Sequence, residues 1–592
     1  MRVAVTQFAT SLDTQENLTT CIRMINEAAV CEPSLIVLPE FCNTQPWYVD
    51  HNQAWNEALS TKGTFLQRIA KQAKKHGCYI VLNVTLRRDL LRDHQDGSVK
   101  SNISVTSCLF SPLGKLIHQE DKQTLTGHEK DFFISASKVS EVMATPFGKL
   151  GFLAGSDGTT FEASRGLALG GAQLLCHSLN SFALDQSCLH GPARACDNKV
   201  FLAAANKVGS LRPKEQRAIF SKKNVILQEH LAGVGQSQIV SPNGKILAQI
   251  ANNEEGYVFA DIDLAKCNLH ENKFRPDGTE LVKQRRPELY QGLHLPMTQA
   301  PLLDDAYNVQ KSKVPVTANV AIFATYKINE QAIEDVCHYI ENNLSDIIQL
   351  PELFFIADKT ITNDTEQLAR IARLSTELIS QVSSVLRPFQ YVSTSLVIDG
   401  MHQAVIVSEH GLFATQQQLH FCQRYQWTAL GEAINIIELP LEQGNINVAM
   451  LTADDANVPE IVKVAALNNI HLLLVPFDIQ EPCEAEYSLL SRAVENRICI
   501  VAASREKSFA TDLPIDKDDN NPYSKNKVKA QKSTGLIINL STDPALLPQW
   551  KSRKFDGYIN QPLTTYQYGK ITKAVIHPIA ACNKLILSKY LE

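Results

Sequence analysis

Two apolar runs in this chain end in the same three residues: Ser34–Glu40 (SLIVLPE) and Asp346–Glu352 (DIIQLPE). They are the first trace of an internal duplication, and a duplication constrains the architecture more than any single element does. Pro39-Glu40 returns as Pro351-Glu352, an offset of 312 (352 − 40). Glu162, inside TTFEASRGLAL, returns as Glu460, inside NVPEIVKVAAL. Arg194-Ala-Cys-Asp-Asn198 returns as Arg492-Ala-Val-Glu-Asn496. The last two offsets are both 298 (460 − 162 and 492 − 194), so one insertion or deletion separates the early and middle parts of the copies. The surroundings agree as well: RACDN runs on into VFLAAAN, and RAVEN into ICIVAAS.

Within a copy, strand and helix patterns alternate. Arg2 to Phe8 alternates like a strand, and Leu35 to Leu38 reads as a buried one. Asn17 to Val30 places Leu18, Ile22, Ile25 and Ala29 on one helical face, and Phe65 to His76 does the same with Leu66, Ile69, Ala70 and Ala73. Gln236 to Ile250 reads as a hairpin turning at Pro242-Asn243-Gly244. Strand–helix–strand units mixed with hairpins imply a layered α/β sandwich. The boundaries expected are a first domain at 1–290, a Pro-punctuated linker at 291–316 and a second, divergent domain at 317–592. Glu506 to Lys532, rich in Lys, Asp and Asn, reads as a polar insertion in the second copy.

Composition excludes several classes. A net charge of −5 over 592 residues gives no basic footprint for nucleic acid. No run approaches 18 uninterrupted apolar residues, so no membrane span is expected, and the N-terminus lacks the apolar core of a signal peptide. The 14 cysteines are scattered singly, without CxxC pairs or Cys/His clusters. That predicts free thiols in a cytoplasmic protein, with no metal site.

The ordered set VAVTQFA, LIVLPEF, Asp121-Lys122, GKLGFLAGSDGTTFEASRGLALGGAQLL, RACDNKVFLAAANKVG, SPNGKIL and QRRPELY resembles the nitrilase, or carbon–nitrogen hydrolase, superfamily along nearly the whole first copy. The second copy resembles it more loosely, in the same order. The resemblance implies two four-layer αββα sandwiches in tandem, which would pair within the chain as an intrachain pseudo-dimer, with further homo-oligomers open. It also implies a Glu-Lys-Cys triad that hydrolyses nitriles, amides or N-carbamoyl groups without a cofactor. A thiolate attacks carbon, a carboxylate takes its proton, and an ammonium holds the oxyanion.

Carried over by position, Glu40 is the general base, Lys122 the oxyanion stabiliser and Glu129 the second, positioning glutamate. Counting back from Glu162 and from Gly171-Ala172 puts the cysteine position at Gly155, with Asp157 keeping the aspartate position. In the second copy Glu352 is kept, the cysteine position is Ala453, and the lysine position falls among Gln416, Gln417 and Gln418. Neither Gly155 nor Ala453 can attack a carbon. Two readings stay open. One is a protein that no longer forms a thioester and binds a small amide or carboxylate, or serves as a scaffold or regulator. The other is an active amidase that uses Ser156, or a water activated by Glu40, with Lys122. Cys42 and Cys176 read as packed thiols, His128 and His177 as ordinary histidines, and QRRPELY as a docking segment.

Overall fold

The computed structural model describes residues 1–88, 102–213, 231–251, 253–268, 273–294, 313–356, 364–508, 532–540, 551–552, 555–556, 563–566 and 571–582. Most of the linker and of the polar insertion therefore lies outside the described residues. Packing divides the chain into two compact units, one built on Met1–Lys273 and one on Phe274–Pro544 with Pro562–Ser588. Residues 274–290, assigned to the first domain on sequence, pack in the second unit.

The first unit holds two six-stranded sheets. One has the spatial order Gly256–Asp261, Arg2–Gln7, Leu35–Val37, Tyr79–Arg87, Ile103–Phe110, Leu116–Asp121. The other runs Ile246–Gln249, Gln238–Val240, Phe201–Ala205, Leu174–Ser178, Gly148–Ala154, Met143–Thr145. Each sheet has parallel strands at its centre and antiparallel strands at its edges. The inner faces meet through Val3, Val5, Leu35, Val37, Leu150, Phe152, Leu174 and Ala203. Both faces of these strands are apolar because both are covered, and each fully buried Val, Leu or Ile contributes about 1.5–3 kcal/mol.

Helices cover the outer faces, so the layers run α, β, β, α. Helix Thr14–Ala28 is capped by Asp13, whose carboxylate accepts from Gln15 N–H at 2.7 Å and Glu16 N–H at 3.1 Å. It buries Leu18, Cys21, Met24, Ile25 and Ala28, a face turned slightly from the expected one, and Ala29 belongs to a following 3-10 turn. Helix Thr64–His76 buries Phe65, Leu66, Ile69 and Ala73, and stops at Gly77, whose φ of +63° is a left-handed cap. The second sheet is covered by Phe161–Leu169 and Gly191–Asn198.

The second unit repeats this plan. Its sheets run Ile571–Ile576, Ala318–Phe323, Ile347–Glu352, Tyr391–Ile398, Met401–Ser408, Gly411–Gln417 and Leu563–Tyr566, Lys532–Asn539, Cys499–Ser508, Leu472–Pro476, Gly444–Met450, Ile437–Leu441. Strand for strand, this is the order of the first unit. Helices Asn329–Glu341 and Thr365–Val385 pack on one sheet, and Pro459–Leu467 and Leu489–Asn496 occupy the sequence positions that cover the other. Among the described residues no helix is long and apolar enough to cross a membrane.

Candidate functional site

Three segments of the first unit converge beyond the carboxyl ends of its parallel strands, where loops leave the ladders and side chains can meet. Glu40 follows the strand Leu35–Val37, and its N–H donates to Leu179 O at 3.1 Å, joining the two sheets. The next residue, Phe41, takes a left-handed φ of +52°. That turn is held by Lys207 Nζ donating to Phe41 O at 3.0 Å and by Phe41 N–H donating to Asn83 Oδ1 at 3.0 Å. Lys122 ends the strand Leu116–Asp121, with its N–H on Val105 O at 2.8 Å. Gly155 ends the strand Gly148–Ala154 and opens a 3-10 turn at φ +48°. Asp157 stitches the last two segments together by accepting from Thr124 N–H at 2.7 Å, Gln123 N–H at 3.3 Å and Ala154 N–H at 3.3 Å.

Lys122 Nζ donates to Glu40 Oε1 at 2.9 Å and to Glu129 Oε1 and Oε2 at 2.8 and 2.9 Å. Glu40 and Lys122 are each 2% exposed. One ammonium cannot neutralise two buried carboxylates. Glu129 is the better satisfied of the two, because it also accepts from Thr126 N–H at 2.9 Å. Glu40 therefore bears the strain: burial raises its pKa to about 7, although Lys122 beside it acts the other way. The two carboxylates outweigh burial at Lys122 and hold its pKa above the ordinary lysine value. Burial also raises Asp157 to about 6.

The space at Gly155 is taken. A Cβ built there would stand 2.6 Å from Lys122 Nζ and 2.7 Å from both Glu40 carboxylate oxygens. The ends of the ion pair thus fill the space that a side chain at this position would need. Ser156 does not face it with a free hydroxyl, since its Oγ donates to Thr124 O at 2.6 Å. Cys42 and Cys176 are fully buried, and Cys176 lies in the core between the sheets, where burial raises its thiol pKa. All 14 cysteines are free thiols.

Two histidines have local structural roles. His177 Nε2 lies 2.9 Å from Gly155 O, so as the N–H donor it braces the turn, and burial lowers its pKa to about 4. His128 stacks on Trp47 at 3.9 Å, and its Nε2 lies 2.8 Å from Pro46 O.

Residues 2–270 match the family model described as Carbon-nitrogen hydrolase. This match falls on the first unit. A nitrilase of Pyrococcus abyssi is 29% identical over 283 residues, covering 47% of this chain and 94% of the relative. The omega-amidase NIT2 of Xenopus tropicalis is 26% identical over 301 residues, covering 49% of this chain and 96% of the relative. Among solved structures, an amidase from Nesterenkonia sp. is similar at 22% identity and TM-score 0.38, covering 50% of this chain and 96% of that one. The NitFhit protein of C. elegans is similar at 22% identity and TM-score 0.40, covering 49% and 66%.

The second unit preserves the turn geometry of the first and places different side chains around it. Ala453 holds φ +52° where Gly155 holds +48°, and Leu353 after Glu352 is left-handed like Phe41. Asp455 accepts from Leu419 N–H at 2.8 Å and His420 N–H at 2.7 Å, as Asp157 does from Gln123 and Thr124. Gln418 N–H bonds His402 O at 3.2 Å, as Lys122 N–H bonds Val105 O, which puts the lysine position at Gln418. Its side chain is spent on His420 O at 2.8 Å and His402 Nδ1 at 2.9 Å.

Residues missed on sequence take over around Glu352. Tyr425 O–H donates to Glu352 Oε1 at 2.7 Å, Arg424 approaches the same oxygen at 3.4 Å, and Ala453 N–H donates to Oε2 at 3.1 Å. A signal for Tyr425 was present, because it lies seven residues after Gln418 as Glu129 lies seven after Lys122. Asp277, Cys422 and Asp454 bring three donor atoms together as a metal site would. The cations already on these carboxylates are guanidiniums: Arg424 on Asp277 at 2.6 Å and on Asp454 at 3.3 Å, and Arg275 on Asp454.

Proposed function

We propose that the first unit is a pseudo-amidase, which binds a small primary amide at Glu40 and Lys122 and does not form a thioester. In this reading Gly155 and Ala453 stand at the family's cysteine position. The observation that carries it is the occupied Cβ volume at Gly155, filled by an ammonium and a carboxylate. Ser156, the hydroxyl next to Gly155, is committed to Thr124 O.

Charge favours an amide over a carboxylate as the ligand. Glu40, Lys122 and Glu129 sum to −1 when all are ionised, and a further anion would add to an uncompensated buried charge. A neutral amide can accept from Lys122 Nζ through its carbonyl and donate its N–H to Glu40. The relatives' names, a nitrilase and an omega-amidase, support the same ligand class. That none of the 14 cysteines is in a disulfide supports a reducing compartment, the cytoplasm.

One observation favours a second reading, an active amidase in which Glu40 activates water. A carboxyl with a pKa of about 7 is poised as a general base at neutral pH, and Lys122 can hold the oxyanion. Simple amides, nitriles and N-carbamoyl compounds are to be offered to the protein and to Glu40→Gln. Saturable amide binding without ammonia release supports the pseudo-amidase. Ammonia release that disappears in Glu40→Gln supports the hydrolase instead. Neither binding nor release defeats both and leaves a scaffold.

A further inference from the structure

Arg275 is a fully buried arginine that the chemistry of the first unit does not use. It belongs to the second unit, in the segment that precedes the described strands of that unit. Its guanidinium forms ion pairs with Asp454 and Glu484, and none of the three side chains is more than 4% exposed. Asp454 lies directly beside Ala453, at the turn that corresponds to the Gly155 turn of the first unit. Arg275 thus lies beside the turn that matches the Gly155 turn of the first unit, paired with the residue next to Ala453.

The surrounding charge shows what the place demands. Asp277, Glu352, Asp454 and Glu484 are four carboxylates, and Arg275 and Arg424 are the two guanidiniums paired with them. Among the described residues Asp454 Oδ2 has no hydrogen-bond partner, so even the occupied cluster has acceptor capacity to spare. Without Arg275, Asp454 and Glu484 would lose the guanidinium that they share, and an uncompensated buried charge is strongly destabilising. The two acids that grip Arg275 are peculiar to the second unit. At the 298-residue offset, Asp454 corresponds to Ser156 (454 − 156) and Glu484 to Gln186 (484 − 186), both uncharged.

The same segment is fixed at three further points. Arg285 pairs with Glu460 at 2.5 Å. Arg286 NH1 donates to Leu419 O at 2.8 Å and Gly431 O at 2.6 Å. Tyr290 O–H meets His420 Nε2 at 2.6 Å, and His420 Nδ1 meets Asp455 Oδ1 at 2.9 Å. The segment is therefore anchored on the loops that frame the second site, with Arg275 as the side chain delivered into it.

We propose that the acidic cluster beside Ala453 in the second unit is a guanidinium-binding site, with Arg275 as its built-in occupant. A planar fork holds its N–H donors in a fixed geometry toward both carboxylates, whereas an ammonium on a flexible stem is a more compact, more strongly hydrated point charge. The inference does not rest on the amide reading of the first unit.

Chemical rescue in the full chain tests it. Arg275→Ala and Arg275→Lys are to be melted with increasing N-ethylguanidinium, and with ethylammonium at matched ionic strength. Both variants are expected to melt several degrees below the parent. N-ethylguanidinium should restore Arg275→Ala saturably, while ethylammonium should not, and neither should raise the parent. If Arg275→Ala does not fold alone, refolding yield with each additive is read instead. In Arg275→Ala carrying Asp454→Asn and Glu484→Gln, the cage is neutral and the rescue should vanish. Equal effects of the two additives, a parent-like Arg275→Lys, or rescue that survives the neutral cage would each overturn the proposal.

Discussion

Replacing Glu40 by Gln should change how stability responds to pH, and the direction follows from the cluster. Glu40 titrates near 4.5 in an unfolded chain and at about 7 when folded. Between those values the folded state binds more protons than the unfolded one, so stability falls as pH rises. This group's contribution is fully present below pH 4.5 and is lost as pH climbs through about 7. The interval of roughly 2.5 pH units, at about 1.4 kcal/mol each, amounts to about 3 kcal/mol. Glu40 is wholly buried, so solvent screening does not reduce the figure much. Glu40→Gln keeps the shape, leaves Lys122 paired with Glu129, and removes the titration. The variant should gain on the parent by about 3 kcal/mol between pH 4.5 and pH 8. Asp157, raised to about 6, is present in both proteins and cancels in the difference. The assay is urea denaturation of both proteins at half-unit pH steps, compared through the transition that the substitution shifts. A stability difference that stays constant across the range would refute the claim that Glu40 carries the surplus charge.

Two other substitutions probe the paired sites. Gly155→Cys puts a Cβ where Lys122 Nζ and the Glu40 oxygens lie, at a left-handed φ of +48°. The obstructing atoms are the free ends of flexible side chains, so the variant should fold with a loss of about 1–3 kcal/mol. It should also be acylated by an activated ester, read as a mass increase on the introduced thiol; an unmodified thiol would mean that the pocket has left triad geometry. Tyr425→Phe removes the hydroxyl on Glu352 Oε1 at 2.7 Å, a bond to a buried charged group. The expected cost is about 1.5–3 kcal/mol by denaturant titration, and a loss below about 0.5 kcal/mol would show that Arg424 and Ala453 N–H suffice for Glu352.

The contrast between the two turns explains why these tests differ. In the first unit the lysine is kept and the residue at the turn has no side chain. In the second unit Ala453 has a Cβ, and Gln418, in the lysine's place, bonds away from it. The same small volume beside the glutamate thus accepts either the ammonium end or a Cβ. Arg424 then supplies the positive charge from a different direction.

The chain's sequence determined the doubling, the α/β order and the positions Glu40, Lys122, Glu129 and Gly155, which the structure brings together. These were legible because strand and helix periodicity and motif spacing are properties of short segments. The boundary near 290 was not legible: residues 274–290 continue the first copy's motifs yet pack with the second unit. Nor did any local pattern announce Arg275, whose partner Glu484 is 209 positions away. Only the tertiary structure decided that an ion pair fills the space at Gly155 and that guanidiniums settle among the acids near Ala453. Volume and charge are balanced where distant segments meet, and a buried carboxylate takes whatever cation the fold delivers to it.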